Sequence, residues 1–167
     1  MALRSPLGPP RGGPPRAPAF VLGVGLGGFL DGIVLHQILQ WHHLLTATED
    51  NPATTVAGVE ANTLADGLFH VLAWLLTVAG VAMLIRAWQR RDLAPPWRVH
   101  VGTALAGWGV FNLVEGLVDH QLLTVHHVRD DLGAPPGWDA GFLALGALLV
   151  VGGLALARSG AARRRRY

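Results

Sequence analysis

Four long apolar runs dominate the pattern of hydrophobic and polar positions along the chain. Each run has 20–23 residues with few charges, and an α-helix needs roughly 20 residues to cross the hydrocarbon core of a bilayer. A soluble four-helix bundle would instead show a polar stripe along each helix, which the fourth run almost completely lacks. The pattern therefore predicts an all-α integral membrane protein with four spans, at residues 19–41, 63–85, 101–123 and 138–157.

The segments outside these runs differ from them in composition. Residues 1–18 are rich in proline, glycine and arginine, which predicts a disordered cytoplasmic tail. A cleaved signal peptide is disfavoured because the apolar run that follows is too long. Residues 159–167 are predicted to form a second, basic cytoplasmic tail, so that the membrane domain covers residues 19–158.

The distribution of charge predicts the topology. All 13 basic residues are arginine, and all but Arg129 lie before the first run, around the loop between the second and third, or after the fourth. The positive-inside rule then places both termini in the cytoplasm and the protein in the cell inner (cytoplasmic) membrane. Topology thus accounts for the sequence pI near 10.4, and we expect the lipid bilayer as a partner and no nucleic acid.

Two of the runs end in nearly the same polar motif. Residues 31–43, DGIVLHQILQWHH, are followed 84 positions later by residues 115–127, EGLVDHQLLTVHH. Aligning residues 23–43 with 107–127 gives nine identities in 21 positions, and a weaker similarity relates DGLFH (66–70) to DAGFL (139–143). The sequence therefore predicts a four-helix bundle built from two duplicated helical hairpins, related by an axis along the membrane normal.

Ionisable side chains in these runs identify a candidate site, because each costs about 2.5–3.5 kcal/mol inside a bilayer and must meet another polar group, water or a ligand. At a rise of about 1.5 Å per residue, one residue from each helix falls in an outward-facing layer: His36, His120, Asp66 and Asp139. A turn or so deeper lie Asp31, Glu115 and His70. At the outer mouth we expect His42, His43, His126 and His127.

Imidazoles and carboxylates without sulfur suit zinc, iron, manganese or copper(II), and helix bundles commonly hold such sites. The chain has no cysteine, which excludes thiolate ligands and disulfides. The leading hypothesis is therefore a multi-pass membrane protein with a metal site in the outward-facing half, used for metal handling or for metal-dependent redox chemistry. The sequence contains no recognisable pair of a nucleophile and a general base, so it does not decide whether the protein is an enzyme.

The same residues are compatible with functions other than a metal site. His36 and His120 at equal depth can instead be the axial ligands of a haem, or hydrogen-bonded polar groups between helices. Carboxylates and histidines within spans also occur in proton or ion pathways. A non-catalytic membrane assembly factor is compatible with the same residues, as are a homo-oligomer and respiratory-chain partners.

The motifs FLDGIVLHQILQWHH, DGLFHVLAW and NLVEGLVDHQLLTVHHVR resemble a bacterial family of predicted membrane proteins that is catalogued as domain of unknown function 2243. The resemblance covers roughly residues 19–157. It implies a four-span membrane protein and brings no established activity with it.

Overall fold

The computed structural model describes residues 16–90 and 97–164, and this part of the chain contains helices and no strand. Helix α1 (Ala17–Leu30) continues as a π-helical segment, Asp31–Ile38. Helix α2 covers Val56–Gln89. Helix α3 (Trp97–Glu115) continues as a second π-helical segment, Gly116–Leu122, and α4 covers Pro136–Arg164 after a 3₁₀ turn at Asp130–Leu132. The predicted all-α class is confirmed.

All four helices are long and apolar enough to cross a membrane, at residues 17–38, 56–89, 97–122 and 136–162. Helix α2 starts earlier than its apolar run because the Thr55 hydroxyl accepts a hydrogen bond from the Gly58 N–H at 3.1 Å, an N-cap of the kind that stabilises a helix by about 1 kcal/mol. Of the expected tails, residues 1–15 lie outside the described residues, whereas the second tail is helical as far as Arg164.

Helices α1 and α3 form the centre of the molecule. Helix α2 packs on α1, α1 packs on α3, and α3 packs on α4; between the described parts of α1 and α4, and of α2 and α3, there is no comparable packing. Accordingly, within an apolar stretch of 18 residues in each span, 44% of the residues are buried in both central spans, against 11% in α2 and 17% in α4. The outer helices therefore present their apolar side chains to lipid, and the central helices carry the buried polar groups.

Glycine allows the two central helices to approach each other closely. A Cβ atom added to Gly23 would collide with the carbonyl oxygen of Ala104, and one added to Gly107 would collide with that of Phe20. In a bilayer, helix association depends on such close packing because lipid tails are as apolar as the helix surfaces. The close approach lets short side chains from α1 and α3 meet.

Both central helices end in the same way on the side of the α1–α2 and α3–α4 loops. Within the π-helical segment, the Leu39 N–H donates to the Val34 carbonyl at 2.8 Å, and the equivalent bond recurs 84 positions later. The next residues, Gln40 (φ 50°) and Thr124 (φ 49°), have left-handed backbone conformations. For residues other than glycine these cost about 1–3 kcal/mol and persist where the surroundings fix them. They turn the chain back into the bundle.

Candidate metal centre

Six ionisable side chains from the central helices and the loops after them meet in the loop-side half of the bundle. We call them the central cluster: Asp31, His36, His42, Glu115, His120 and His126. None is more than 6% exposed. Four of them, from both helices and both loops, each offer one ligand atom within 4.8 Å of the others: His36, His42, Glu115 and His126. This spacing is that of a group able to hold a metal ion.

The π-helical segments bring acids and histidines of the same helix together. In an α-helix Asp31 and His36 would point about 140° apart, at about 100° per residue. A π-helix bonds residue i to i+5, which moves residues five apart towards one face. The His36 Nε2 atom thus lies 3.2 Å from Asp31 Oδ2, and the His120 Nε2 atom 3.8 Å from Glu115 Oε1.

His42 and His126 reach the cluster from the loops. Our sequence interpretation placed them at the outer mouth, but they are 2% and 0% exposed because the chain folds back after Gln40 and Thr124. Their rings stack with centroids 4.7 Å apart and planes 8° apart. Each Nδ1–H donates to a backbone carbonyl of the opposite loop, Val128 at 3.1 Å and Leu44 at 3.2 Å. In each ring the Nε2 atom therefore carries the lone pair, and both Nε2 atoms face the cluster.

The electrostatic surroundings keep these two loop histidines neutral. Burial, together with the charge of the neighbouring His36, lowers the pKa of His42 to about 4. Burial likewise holds the pKa of His126 well below its ordinary value, and its histidine neighbours act in the same direction. A neutral imidazole is the form that ligates metal ions, so at neutral pH both rings are already in the ligating form.

Asp66 of α2 holds His36 from behind. Its Oδ1 accepts hydrogen bonds from His36 Nδ1 and from the Leu44 N–H, both at 2.9 Å. Its Oδ2 accepts from His43 Nδ1 at 2.7 Å and from Gln37 Nε2 at 3.1 Å. Because the Asp66 carboxylate accepts the hydrogen bond from His36 Nδ1, the Nε2 atom of that ring faces the cluster. Carboxylate–histidine pairs of this kind usually orient metal-ligating imidazoles.

Asp139 of α4 lies in the corresponding position behind His120, in a charge contact rather than a hydrogen bond. Its Oδ1 lies 3.3 Å from His120 Nδ1 and accepts from the Val128 N–H at 3.0 Å. Its Oδ2 accepts from His127 Nδ1 at 2.7 Å. The pair His43 and His127 therefore stands on the outer side of the two carboxylates, partly exposed, rather than in the central cluster.

His70 lies apart from the other predicted site residues. Its Nδ1 donates to the Asp66 backbone carbonyl at 2.6 Å, one turn earlier on α2. Its ring meets Phe29 and Phe69 edge-on, with centroids 6.4 and 6.0 Å away. The structure thus brings ten of the eleven predicted residues into the cluster or directly behind it. Which of them ligate a metal remains a prediction.

Several buried polar atoms of the cluster lack a hydrogen-bond partner. They are both carboxylate oxygens of Asp31, Glu115 Oε2, the Nε2 atoms of His36 and His42, and both ring nitrogens of His120. The carboxyl groups of Asp31 and Glu115 are also close neighbours. An unsatisfied buried polar group costs about 1–3 kcal/mol, and more if it is charged. The chemistry of this donor set therefore fits a cation held among these atoms.

One buried polar residue next to the cluster was not among the predicted site residues. Asn112 on α3 is 3% exposed, and its Oδ1 has no partner. It lies three residues before Glu115, a spacing that puts two side chains on one face of a helix. A lone amide in an apolar run, at that distance from a carboxylate, is the signal that could have found it.

Fold and cluster together define a multi-span, all-α membrane protein with a buried polar centre. The model of a family described as predicted membrane protein (DUF2243) matches residues 18–160. The match covers most of the chain, so the protein belongs to this family. No curated protein and no solved structure gives a significant match.

Proposed function

We propose that the protein is a membrane metalloprotein whose central cluster binds a divalent transition-metal ion. The supporting observation is that imidazole nitrogens and carboxylate oxygens face one another there. The Nδ1 protons of His36 and His126 are directed outward, to Asp66 and to a loop carbonyl. Their Nε2 atoms face the cluster and lie 3.2 Å from Asp31 Oδ2 and 3.4 Å from Glu115 Oε1. A cation makes such a contact favourable.

The donor set supports a first-row transition metal. Imidazole and carboxylate ligands without sulfur suit zinc, iron, manganese and copper(II). Ligand bonds of about 2.1 Å put the ligand atoms of a tetrahedral ion roughly 3.4 Å apart, so the spacing of up to 4.8 Å needs only a small contraction. Asp31 and His120 add two donors, which complete six-fold coordination of one ion or share a second ion.

Burial of the cluster supports a resident metal centre over metal handling. A carrier has to release its ion to a partner, whereas all six side chains here are at most 6% exposed. The same packing disfavours haem, because the stacked rings of His42 and His126, 4.7 Å apart, occupy the middle of the cluster. We therefore favour metal-dependent redox or Lewis-acid chemistry. The distribution of arginine supports a centre in the half of the membrane that faces away from the cytoplasm.

Duplication of an ancestral hairpin is part of this proposal. A reciprocal pair of loop contacts supports it. His42 in the first loop donates to the Val128 carbonyl in the second, and His126 in the second loop donates to the Leu44 carbonyl in the first. The two donors are 84 positions apart, and so are the two acceptors. A duplicated hairpin supplies each half of the centre with one acid and two buried imidazoles.

Elemental analysis tests the metal centre directly. The full chain is purified in detergent from cells grown with added manganese, iron, copper and zinc, and the metal content is measured by mass spectrometry together with X-ray absorption at the metal edge. We expect about one to two ions per chain and a first shell of nitrogen and oxygen with imidazole scattering, because the cluster has six such donors. Less than about a tenth of an ion for every metal, or a Soret band, would overturn the proposal.

The Asp66→Asn variant tests whether that carboxylate acts through the ligands. Losing a group that orients a metal-bound imidazole typically costs 10–100-fold in metal affinity, so we expect weakening of about that size in competition titrations with a chelator. The rescue variant is Asp66→Glu, which keeps the charge. Glu49→Gln, at an exposed loop position, is the control and should bind like the unmodified chain. Equal affinities for all three variants would show that Asp66 has no positioning role.

A further inference from the structure

A cleft lies between α1 and α4, where these two helices do not pack on each other. Its volume is ≈ 440 Å³, and α1, α3, α4 and the loops line it. Two of its lining residues, Leu30 and Leu145, are 43% and 47% exposed within the membrane spans. The cleft therefore opens sideways towards the bilayer.

Aromatic side chains line much of this cleft: Trp41, Trp108, Trp138 and Phe142. At the loop-side end the Arg129 guanidinium lies over the rings of Trp41 and Trp138, 4.3 and 5.0 Å from their centroids, and Asp131 pairs with the same guanidinium at 2.7 Å. These contacts hold the two indoles in place. Aromatic walls favour a flat ring, which packs on them in stacked or edge-to-face arrangements.

The inner wall of the cleft is polar at two points. Asp31 and Asn112 line it, are 6% and 3% exposed, and retain unpartnered acceptor oxygens. A ligand that satisfies these oxygens has to donate hydrogen bonds, since a buried acceptor without a donor is costly. A hydroxyl group is the simplest uncharged donor that a lipid-soluble molecule can bring.

The opposite side of the molecule provides an internal comparison. A second cleft of ≈ 330 Å³ lies between α2 and α3 and reaches Glu115. At the positions 84 residues before Trp108 and Asn112 it has Val24 and Gly28. Phe69 and Phe111 line this second cleft, but it has no counterpart of Trp108 or of the Asn112 amide. The α1–α4 cleft, with four aromatic side chains and two polar ones, is therefore the better site for an aromatic hydroxyl compound.

We infer that the α1–α4 cleft binds a membrane-soluble phenol: an aromatic ring that carries a hydroxyl group at one end and an apolar tail at the other. The ring lies among the tryptophans, the hydroxyl donates to Asp31 and Asn112, and the tail extends into lipid between α1 and α4. Because Asp31 also belongs to the central cluster, the hydroxyl is placed beside the metal. That last relation rests on the proposed function, whereas the binding itself does not.

The binding test uses 2-bromo-4-decylphenol, whose bromine quenches tryptophan fluorescence on contact. The full chain in dodecyl maltoside is titrated with this phenol, with its methyl ether, which has no donor, and with bromododecanol, which has no ring. Each titration is repeated on chelator-treated protein. We expect saturable quenching by the phenol alone, with and without metal.

Three variants locate the binding site. Gly141→Leu places a side chain into the cleft, where a Cβ meets no atom within 4 Å, and should abolish saturable quenching. Gly152→Leu, on the same helix and also without neighbours, should leave it unchanged. Asn112→Leu, which removes one acceptor, should raise the dissociation constant about tenfold, the equivalent of one hydrogen bond.

Three results would each overturn the inference: the methyl ether binding as tightly as the phenol, bromododecanol binding as tightly, or undiminished binding to Gly141→Leu. These results are independent of the elemental analysis. A protein that binds the phenol without holding metal would refute only the metal centre, and a metal-loaded protein that ignores the phenol would refute only this inference.

Discussion

Purified protein with both His42 and His126 replaced by alanine is expected to contain at least about tenfold less metal than the unmodified chain. These two rings supply two of the four ligand atoms that lie within 4.8 Å of one another. Even the loss of a residue behind a ligand costs 10–100-fold in affinity, and the direct loss of two ligands should cost more. Elemental analysis of both proteins, prepared from identically supplemented cells, measures the difference.

Two further variants separate ligand loss from loop disruption. Glutamine at both positions has an amide that can still donate to the carbonyls of Val128 and Leu44, which the imidazoles bind at 3.1 and 3.2 Å, so the loops should stay in place while the metal is lost. His70→Ala removes an imidazole that lies apart from the cluster and should keep its metal. A double alanine variant with full metal content would show that the loop histidines are not ligands.

Sequence reasoning predicted four helices long and apolar enough to cross a membrane, because length and apolar composition are local properties. The run at 101–123 corresponds to a span at 97–122, and the run at 138–157 to one at 136–162. The differences between the ends of the apolar runs and the ends of the helices have local causes as well. The first and third runs continue past the helix ends because Leu39 and Leu123, though apolar, are the C-caps of the π-helical segments.

The arrangement within the site was less accessible to sequence reasoning. An α-helical projection separates Asp31 from His36 by about 140°, whereas the π-helical segment brings them to 3.2 Å. Nothing in the residue pattern specifies such a segment. The burial of His42 depends on a hydrogen bond to Val128, 86 positions away, and on a left-handed residue at Gln40. Such contacts follow from tertiary packing rather than from periodicity.

The cleft illustrates the same limit. The cleft exists because α4 packs on α3 and leaves one side of α1 uncovered. The hydropathy of the four runs does not reveal this packing order. Asn112 and Trp108 are separated by four positions in the third run and can be recognised as one helix face. That this face borders a lipid-accessible space became apparent only from the packing order.

Substitution at one of two adjacent glycines on α4, Gly153, is expected to have the largest effect on the free energy of unfolding. A Cβ added to Gly153 would lie 2.5 Å from the Gly102 carbonyl oxygen and 2.7 Å from the Ala106 nitrogen, both backbone atoms of α3, whereas one added to Gly152 would meet nothing within 4 Å. Overpacking typically costs about 1–3 kcal/mol, and here the backbone of α3 itself would have to move. Gly153→Leu should therefore cost at least that much.

The measurement is the melting temperature in detergent, followed by circular dichroism, with size-exclusion chromatography to detect loss of the folded monodisperse species. At about 2–4 °C per kcal/mol for a chain of this size, we expect Gly153→Leu to melt roughly 5–10 °C lower or not to be recovered folded. Gly152→Leu is the matched control and should melt at or slightly above the original temperature, since leucine favours helices over glycine by up to about 1 kcal/mol.

Gly80→Leu extends the test to α2, because a Cβ there would lie 2.6 Å from the Leu22 nitrogen of α1, and it should behave like Gly153→Leu. Equal melting temperatures for the two α4 variants would mean that α3 and α4 do not meet at Gly153, and the helix order that positions Asp139 behind His120 would then have to be abandoned.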